Sequence, residues 1–124
     1  MYDRSIVSSF RCAFAGLWYV LTTQRNARIH LLITIAVIAL GAWLEISLTR
    51  WAILALTIGF VLAAEMLNTV AERLVDLISP GYHPLAGTVK DVTAGAVLLS
   101  AITAIVVGLL ILGPPLWSRL VNTR

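Results

Sequence analysis

Charge is scarce in this sequence: only 12% of its 124 residues are Asp, Glu, Lys or Arg, against 60% hydrophobic, and the mean hydropathy is +0.94. A soluble domain of this size cannot hide so much apolar surface, so the composition excludes one and requires an integral membrane protein. The one cysteine, Cys12, rules out an intramolecular disulfide and reads as a small apolar residue on a helix. No Gly-x-x-x-x-Gly-Lys-Ser/Thr loop is present, so any nucleotide is held by another arrangement. Internal repeats and low-complexity tracts are lacking, and the first residues show neither the apolar core nor the cleavage site of a signal peptide.

Against this background one polar stretch stands out. It runs from Glu65 to Asp76 and directly follows the uncharged apolar run Trp51 to Ala64. At roughly 100° per residue, Glu65, Asn68, Glu72 and Asp76 fall within about 80° of one another, a stripe over three helical turns. The apolar run is about fourteen residues, short of the ~20 that a bilayer requires, so the spanning helix must include the start of the stripe. Glu65 is then inside the membrane. An acidic residue at mid-bilayer costs about 3 kcal/mol on insertion scales, so the stripe needs partners, a cation or a wet cavity. A helix end simply emerging into water accounts for Asp76 but leaves Glu65 and Asn68 buried without purpose.

The chain reads as a single all-α membrane domain over 1–124. Ile6, Phe10, Phe14, Leu17 and Leu21 recur at helical spacing opposite Arg4, Ser8 and Arg11, which predicts an amphipathic helix over 3–22 lying on the membrane surface. A polar hinge from Thr22 to Arg28 leads to a first span over 29–48, with Trp43 and Trp51 bracketing a tight outer turn. Span two covers 51–78 and stops at Ser79-Pro80-Gly81. Span three covers 89–112 and is expected to stop at Gly113-Pro114-Pro115, leaving Leu116 to Arg124 as an outer anchor. Ala104 and Gly108 have the spacing that lets helices approach closely. Three spans are too few for a large internal cavity, so a homo-oligomer is expected. Arg4, Arg11, Arg25, Arg28, Arg73 and Lys90 on one side, against Arg50, Arg119 and Arg124 on the other, place the N-terminus in the cytoplasm of a multi-pass cell-membrane protein.

At the inner end the stripe, the loop residues Tyr82 and His83, the pair Lys90 and Asp91, and the hinge residues Gln24, Arg25, Asn26 and Arg28 are expected at similar depth. Carboxylates, amides and cations so gathered suit a metal-bound phosphate. Magnesium takes one or two carboxylates plus phosphate oxygens, and lysine acts as a point charge on phosphates. A buried carboxylate such as Glu65 can take the proton of a membrane alcohol as it attacks a terminal phosphate. His30, near the inner end of span one, reads either as a satisfied interfacial histidine or as a ligand.

These residues carry a resemblance. Ala64-Glu65-Met66-Leu67-Asn68 with Glu72 and Asp76, then Tyr82-His83-Pro84-Leu85-Ala86 and Lys90-Asp91 followed by Gly95, resemble the prokaryotic diacylglycerol kinase and undecaprenol kinase family. Arg25-Asn26-x-Arg28-Ile29-His30 and Gly16-Leu17 fit it too. The resemblance implies a homotrimer of small subunits, each with a surface helix and three spans, and active sites shared between subunits at the cytoplasmic face. It implies ATP as phosphoryl donor, magnesium and a lipid alcohol as acceptor; nucleic acid is not an expected partner. Carried over, Glu65 is the catalytic base and Glu72 a metal ligand. Asn68, Asp76 and Arg28 are substrate-binding or supporting residues, and Tyr82, His83, Lys90 and Asp91 contribute with Glu72 and Gln24 to ATP binding. Gln24, the expected second metal ligand, stands where the family pattern has glutamate. The hinge and the His-Pro-Leu-Ala loop resemble the undecaprenol branch; diacylglycerol is the alternative acceptor, and a non-catalytic scaffold subunit the alternative of another class.

Overall fold

Among the described residues, 5–123 of a computed structural model, regular structure is entirely helical. The start of the surface helix at Asp3, and the charges of Arg4 and Arg124, lie outside the described residues. The four helices are α1 (Ile6–Thr23), α2 (Arg25–Trp43), α3 (Leu48–Ile78) and α4 (Pro84–Asn122). All four are long and apolar enough to cross a membrane, α1 being the least apolar. At 1.5 Å per residue, α3 is about 46 Å long and α4 about 58 Å, against ~30 Å of hydrocarbon. Both must therefore tilt or project beyond it, and the polar ends of each are where they project.

Three of the four helix starts are capped by a side chain; that of α2, at Gln24, is not. Ser5 Oγ accepts from the Ser8 amide at 3.3 Å, and Ser47 Oγ from the Arg50 amide at 3.4 Å, so two serines cap the free N–H groups of α1 and α3. Before α4, His83 Nδ1 accepts from the Leu85 amide at 3.1 Å, and Pro84 occupies the first helical position, where its missing N–H costs nothing.

The expected hinge from Thr22 to Arg28 contracts to a single residue. Gln24 alone leaves helical geometry (φ −103°, ψ 118°), while its amide still donates to the Val20 carbonyl at 2.8 Å and its carbonyl still accepts from Arg28 at 3.3 Å. So α2 begins at Arg25 rather than 29. It ends at Trp43 rather than 48 because Glu45 takes a left-handed conformation, φ 54°. The Glu45 amide then donates to Ala42 at 3.2 Å and that of Ile46 to Gly41 at 3.3 Å, the pair of backward bonds that closes a helix C-terminus. Gly41 makes the turn possible: a Cβ there would lie 2.8 Å from Trp51 Cη2 and 3.2 Å from Ile46 Cδ1.

The third span departs further from expectation. Its helix starts at Pro84, a turn before 89, and does not stop at Gly113-Pro114-Pro115 but runs on to Asn122. The prolines remove two donors, from the carbonyls of Leu110 and Ile111, which ordinarily ends a helix. A tertiary anchor holds the last turns in place instead: Arg119 Nη1 donates to the Trp43 carbonyl at the end of α2, and its guanidinium lies 4.9 Å from the Trp43 ring centre. Beside it, Ile46, Leu54 and Leu112 form the buried cluster, flanked by Leu40, Trp51 and Ile111.

Away from that cluster little is covered. Leu98, Leu99, Ile105, Leu109 and Leu110 on α4, and Phe10, Phe14 and Trp18 on α1, are more than half exposed. So extensive an apolar surface is stable in lipid or against other helices, not in water.

Candidate active site

Along α3 the stripe passes from dry to wet. Glu65 is only 2% exposed, Asn68 and Glu72 are half-buried, and Asp76 is exposed. Glu65 is enclosed because α2 crosses α3 here: His30 Nε2 lies 3.2 Å from Glu65 Oε1. The contact has ion-pair distance but not the aligned geometry of a hydrogen bond, so Oε1 remains without a hydrogen-bonded partner. One turn on, Thr69 Oγ1 donates to the Glu65 carbonyl at 2.9 Å, which leaves the carboxylate itself untouched. His30, left open between two readings by sequence, is thus the side chain that meets the buried carboxylate.

Asn68 Nδ2 donates to Glu72 Oε1 at 3.1 Å, an i, i+4 pair that fixes both side chains. Its Oδ1 is buried and accepts nothing, an unpaired acceptor of the kind that costs about 1–3 kcal/mol unless a ligand meets it. Beyond Glu72, Lys90 Nζ on α4 bonds Asp76 Oδ1 at 2.7 Å. Both side chains are about half exposed, so the pair orients Lys90 more than it stabilises the fold. Arg73 extends over the Tyr19 ring, 5.9 Å from its centre, and ties α1 to the same end of α3.

The other expected site residues are not joined to the stripe by any hydrogen bond or ion pair. Gln24 Nε2 donates to Thr23 Oγ1 at 3.3 Å, and Arg28 Nη1 approaches the Thr22 carbonyl at 3.5 Å; both serve the α1–α2 bend. Tyr82 is 96% exposed, His83 caps α4, and Asp91 lies exposed on the first turns of that helix. Within one chain, then, Glu65 meets His30, Asn68 is joined to Glu72 and Asp76 to Lys90, while Gln24 and the exposed loop residue Tyr82 stand apart from them.

Between α2, α3 and α4 lies an apolar cleft of about 440 Å³, lined by Ile33, Val37, Leu54, Val61 and Ile105 among others. Its polar end is formed by His30 and Thr34. A buried carboxylate thus sits behind the polar end of a cleft fit for an alkyl or prenyl chain.

Comparison with known proteins decides the family. The sequence model of the family described as prokaryotic diacylglycerol kinase matches residues 11–112. The chain belongs to this family. Among its relatives, a diacylglycerol kinase of Synechocystis is 47% identical over 118 residues, covering 94% of this chain and 67% of that protein. An undecaprenol kinase of Bacillus subtilis is 42% identical over 108 residues, covering 87% and 88%. A diacylglycerol kinase of Escherichia coli is 30% identical over 82 residues, covering 66% and 64%. Prokaryotic diacylglycerol kinases are membrane phosphotransferases, so this all-α membrane protein is a lipid kinase that uses a phosphoryl donor and a lipid alcohol.

Kinase chemistry implies a divalent metal. Among the described residues no three His, Cys, Asp or Glu side chains gather to hold one. The Glu72 carboxylate with the unpaired Asn68 Oδ1 beside it does offer hard oxygen donors, which suit an ion that brings most of its ligands as phosphate oxygens and water. The residues fit a metal of that kind and do not form a complete protein cage.

Proposed function

We propose that the chain is an ATP- and magnesium-dependent kinase that phosphorylates undecaprenol at the cytoplasmic face of the cell membrane, as a homotrimer with shared active sites. The observation that carries this reading is the buried Glu65 behind the polar end of the apolar cleft. A lipid alcohol in that cleft has its chain among Ile33, Val37 and Ile105 and its hydroxyl at the His30 end. The 42% identity to an undecaprenol kinase over 88% of that protein's length favours the prenol, as do the Arg25-Asn26-x-Arg28-Ile29-His30 and His83-Pro84-Leu85-Ala86 segments. Diacylglycerol is the second reading, favoured by the 47% identical relative of that name.

In the reaction the lipid O–H proton passes to the Glu65 carboxylate while the lipid oxygen bonds the γ-phosphorus. The bond from that phosphorus to the β,γ-bridging oxygen breaks, and ADP leaves with the electron pair. Burial keeps water from competing as acceptor. Glu72, with Asn68 and Gln24, would hold the magnesium, which when bound neutralises charge on the phosphates. Lys90, oriented by Asp76, adds a point charge, and Tyr82, His83 and Asp91 border the nucleotide from the open loop.

In the proposed topology α1 lies on the inner surface with Phe10, Phe14 and Trp18 in lipid, and α2, α3 and α4 span, leaving the C-terminus outside. About 44 Å separates Lys90 from Arg119 along α4, the thickness of a bilayer with its headgroups. For the trimer, no group from outside the nearby turns of α4 lies, among the described residues, within 4 Å of where a Cβ on Gly95 would sit, so a neighbouring helix can approach there. The test is transfer of labelled phosphate from ATP with undecaprenol and diacylglycerol in competition in mixed micelles. Undecaprenol should be the better acceptor at equal surface fraction; equal or reversed rates would transfer the assignment to diacylglycerol.

A further inference from the structure

We propose that His30 is a positioning residue for the reaction: it sets the Glu65 carboxylate and is the group that the lipid hydroxyl meets on its way to it. The inference rests on the lipid-kinase reading of Glu65 and adds a residue to it. Three observations carry it. First, His30 Nε2 is 3.2 Å from Glu65 Oε1, and no other side chain hydrogen-bonds that oxygen. A carboxylate buried without a partner is expensive and free to rotate; a ring N–H turned slightly towards it satisfies and orients it.

Second, access is asymmetric. The His30 side chain is 20% exposed and that of Glu65 3%, and His30 lines the cleft while Glu65 does not. A hydroxyl arriving through the cleft therefore reaches His30 before Glu65. Third, the other polar groups of the cleft cannot replace it. Thr57 Oγ1 already donates to the Ile53 carbonyl at 2.8 Å. Thr34 is one turn from His30 on α2, on the same face, but deeper along the cleft and away from the Glu65 contact. With Nε2–H turned to Glu65, the imidazole keeps Nδ1 as an acceptor, so one ring can hold the carboxylate and still offer a lone pair to the incoming hydroxyl.

The length of the side chain gives the experiment its sensitivity. Gln at position 30 places an amide N–H near the location of Nε2, Asn stops a bond short, and Leu offers no donor. In the full-length protein in mixed micelles with undecaprenol and Mg-ATP, H30L and H30N should lower kcat by about tenfold or more, since displacing a reacting group by about 1 Å can cost two orders of magnitude. The KM for Mg-ATP should stay unchanged. H30Q should recover most of the loss. Because His30 acts through Glu65, H30L combined with E65Q should be no slower than E65Q alone.

The proposal is overturned if H30N and H30Q behave alike, if H30L keeps the parental kcat, or if the two losses multiply in the double variant. Should H30L fail to fold, the comparison of H30N with H30Q decides. The outcomes for Glu65 are separate. An E65Q variant at parental rate removes the reading of Glu65 as base, whereas an inactive E65Q beside a fully active H30L removes only the role of His30.

Discussion

Replacing Glu65 by glutamine separates catalysis from folding more cleanly than any other single change in this chain. The amide has nearly the volume of the carboxylate, so the enclosure by α2 survives, and the Thr69 bond is to the Glu65 backbone carbonyl and is indifferent to the side chain. A volume-conserving change in a packed site costs less than about 1.5 kcal/mol. Here the substitution also removes a buried ionisable group whose Oε1 lacks a hydrogen bond, which acts in the stabilising direction. Thermal unfolding in detergent should therefore be unchanged or slightly raised. The rate should fall, because the amide cannot accept the lipid proton: a general base contributes about 10²–10⁴-fold, or roughly 3–5 kcal/mol of barrier. Mg-ATP binding should persist, since Glu72, Asp76 and Lys90 are untouched. Single-turnover transfer from labelled ATP to undecaprenol, with nucleotide binding measured on the same preparation, is the assay. A residual rate above a tenth of the parent would refute Glu65 as the base, and loss of nucleotide binding would refute the separation of acceptor and donor sites.

Gln24→Glu should lower the magnesium concentration needed for half-maximal rate at fixed ATP by adding a negative ligand, while Glu72→Gln should raise it sharply; a Gln24→Glu titration that overlays the parent's removes Gln24 from the metal site. Gly41→Ala should destabilise the α2–α3 turn by about 1–3 kcal/mol through overpacking against Trp51, and Trp51→Leu in the same chain should restore part of the loss in a thermal melt. Glu45→Gly should stabilise by about 1 kcal/mol, because the residue holds a positive φ that disfavours side chains; an unchanged or lower midpoint would count against the backward-bonded cap described at this turn.

What sequence reveals here is what depends on one helix at a time. The stripe from Glu65 to Asp76 follows from helical periodicity, and α3 does end at Ile78 before Ser79-Pro80-Gly81. The Asp76–Lys90 pair was within reach because a short loop joins α3 to α4. Features that depend on how helices cross were not legible. Nothing local tells that α4 passes Pro114 and Pro115, since what retains its last turns is Arg119 on the Trp43 carbonyl, 76 residues away in the chain. Sequence leaves His30 two readings for the same reason: its partner Glu65 lies on another helix, and only the rotation of α2 about its axis decides which residue faces it. Polar composition marks the hinge from Thr22 to Arg28, whereas a bend needs only the one residue whose dihedrals change, Gln24.

The gradient along α3 connects these local facts to the chemistry of a lipid kinase. Such an enzyme must join an acceptor that lives in hydrocarbon to a donor that lives in water. Glu65 and Asp76 are eleven positions apart, about 17 Å along the helix, and their burial runs from 2% exposed to open surface. On the proposed assignment the base stands where water is excluded, so that its proton comes from the lipid, and Asp76 stands where the lysine it holds can reach a solvated triphosphate. Between them Asn68 and Glu72 hold each other, both half-buried, and on the same assignment theirs is the depth at which the γ-phosphate leaves one medium for the other. A straight helix can present all four because 3.6 residues per turn returns the spacing of three, four and four to one face. Moving any one of them by a single position would turn it about 100° away, which makes the stripe a stricter requirement on this chain than its count of polar residues.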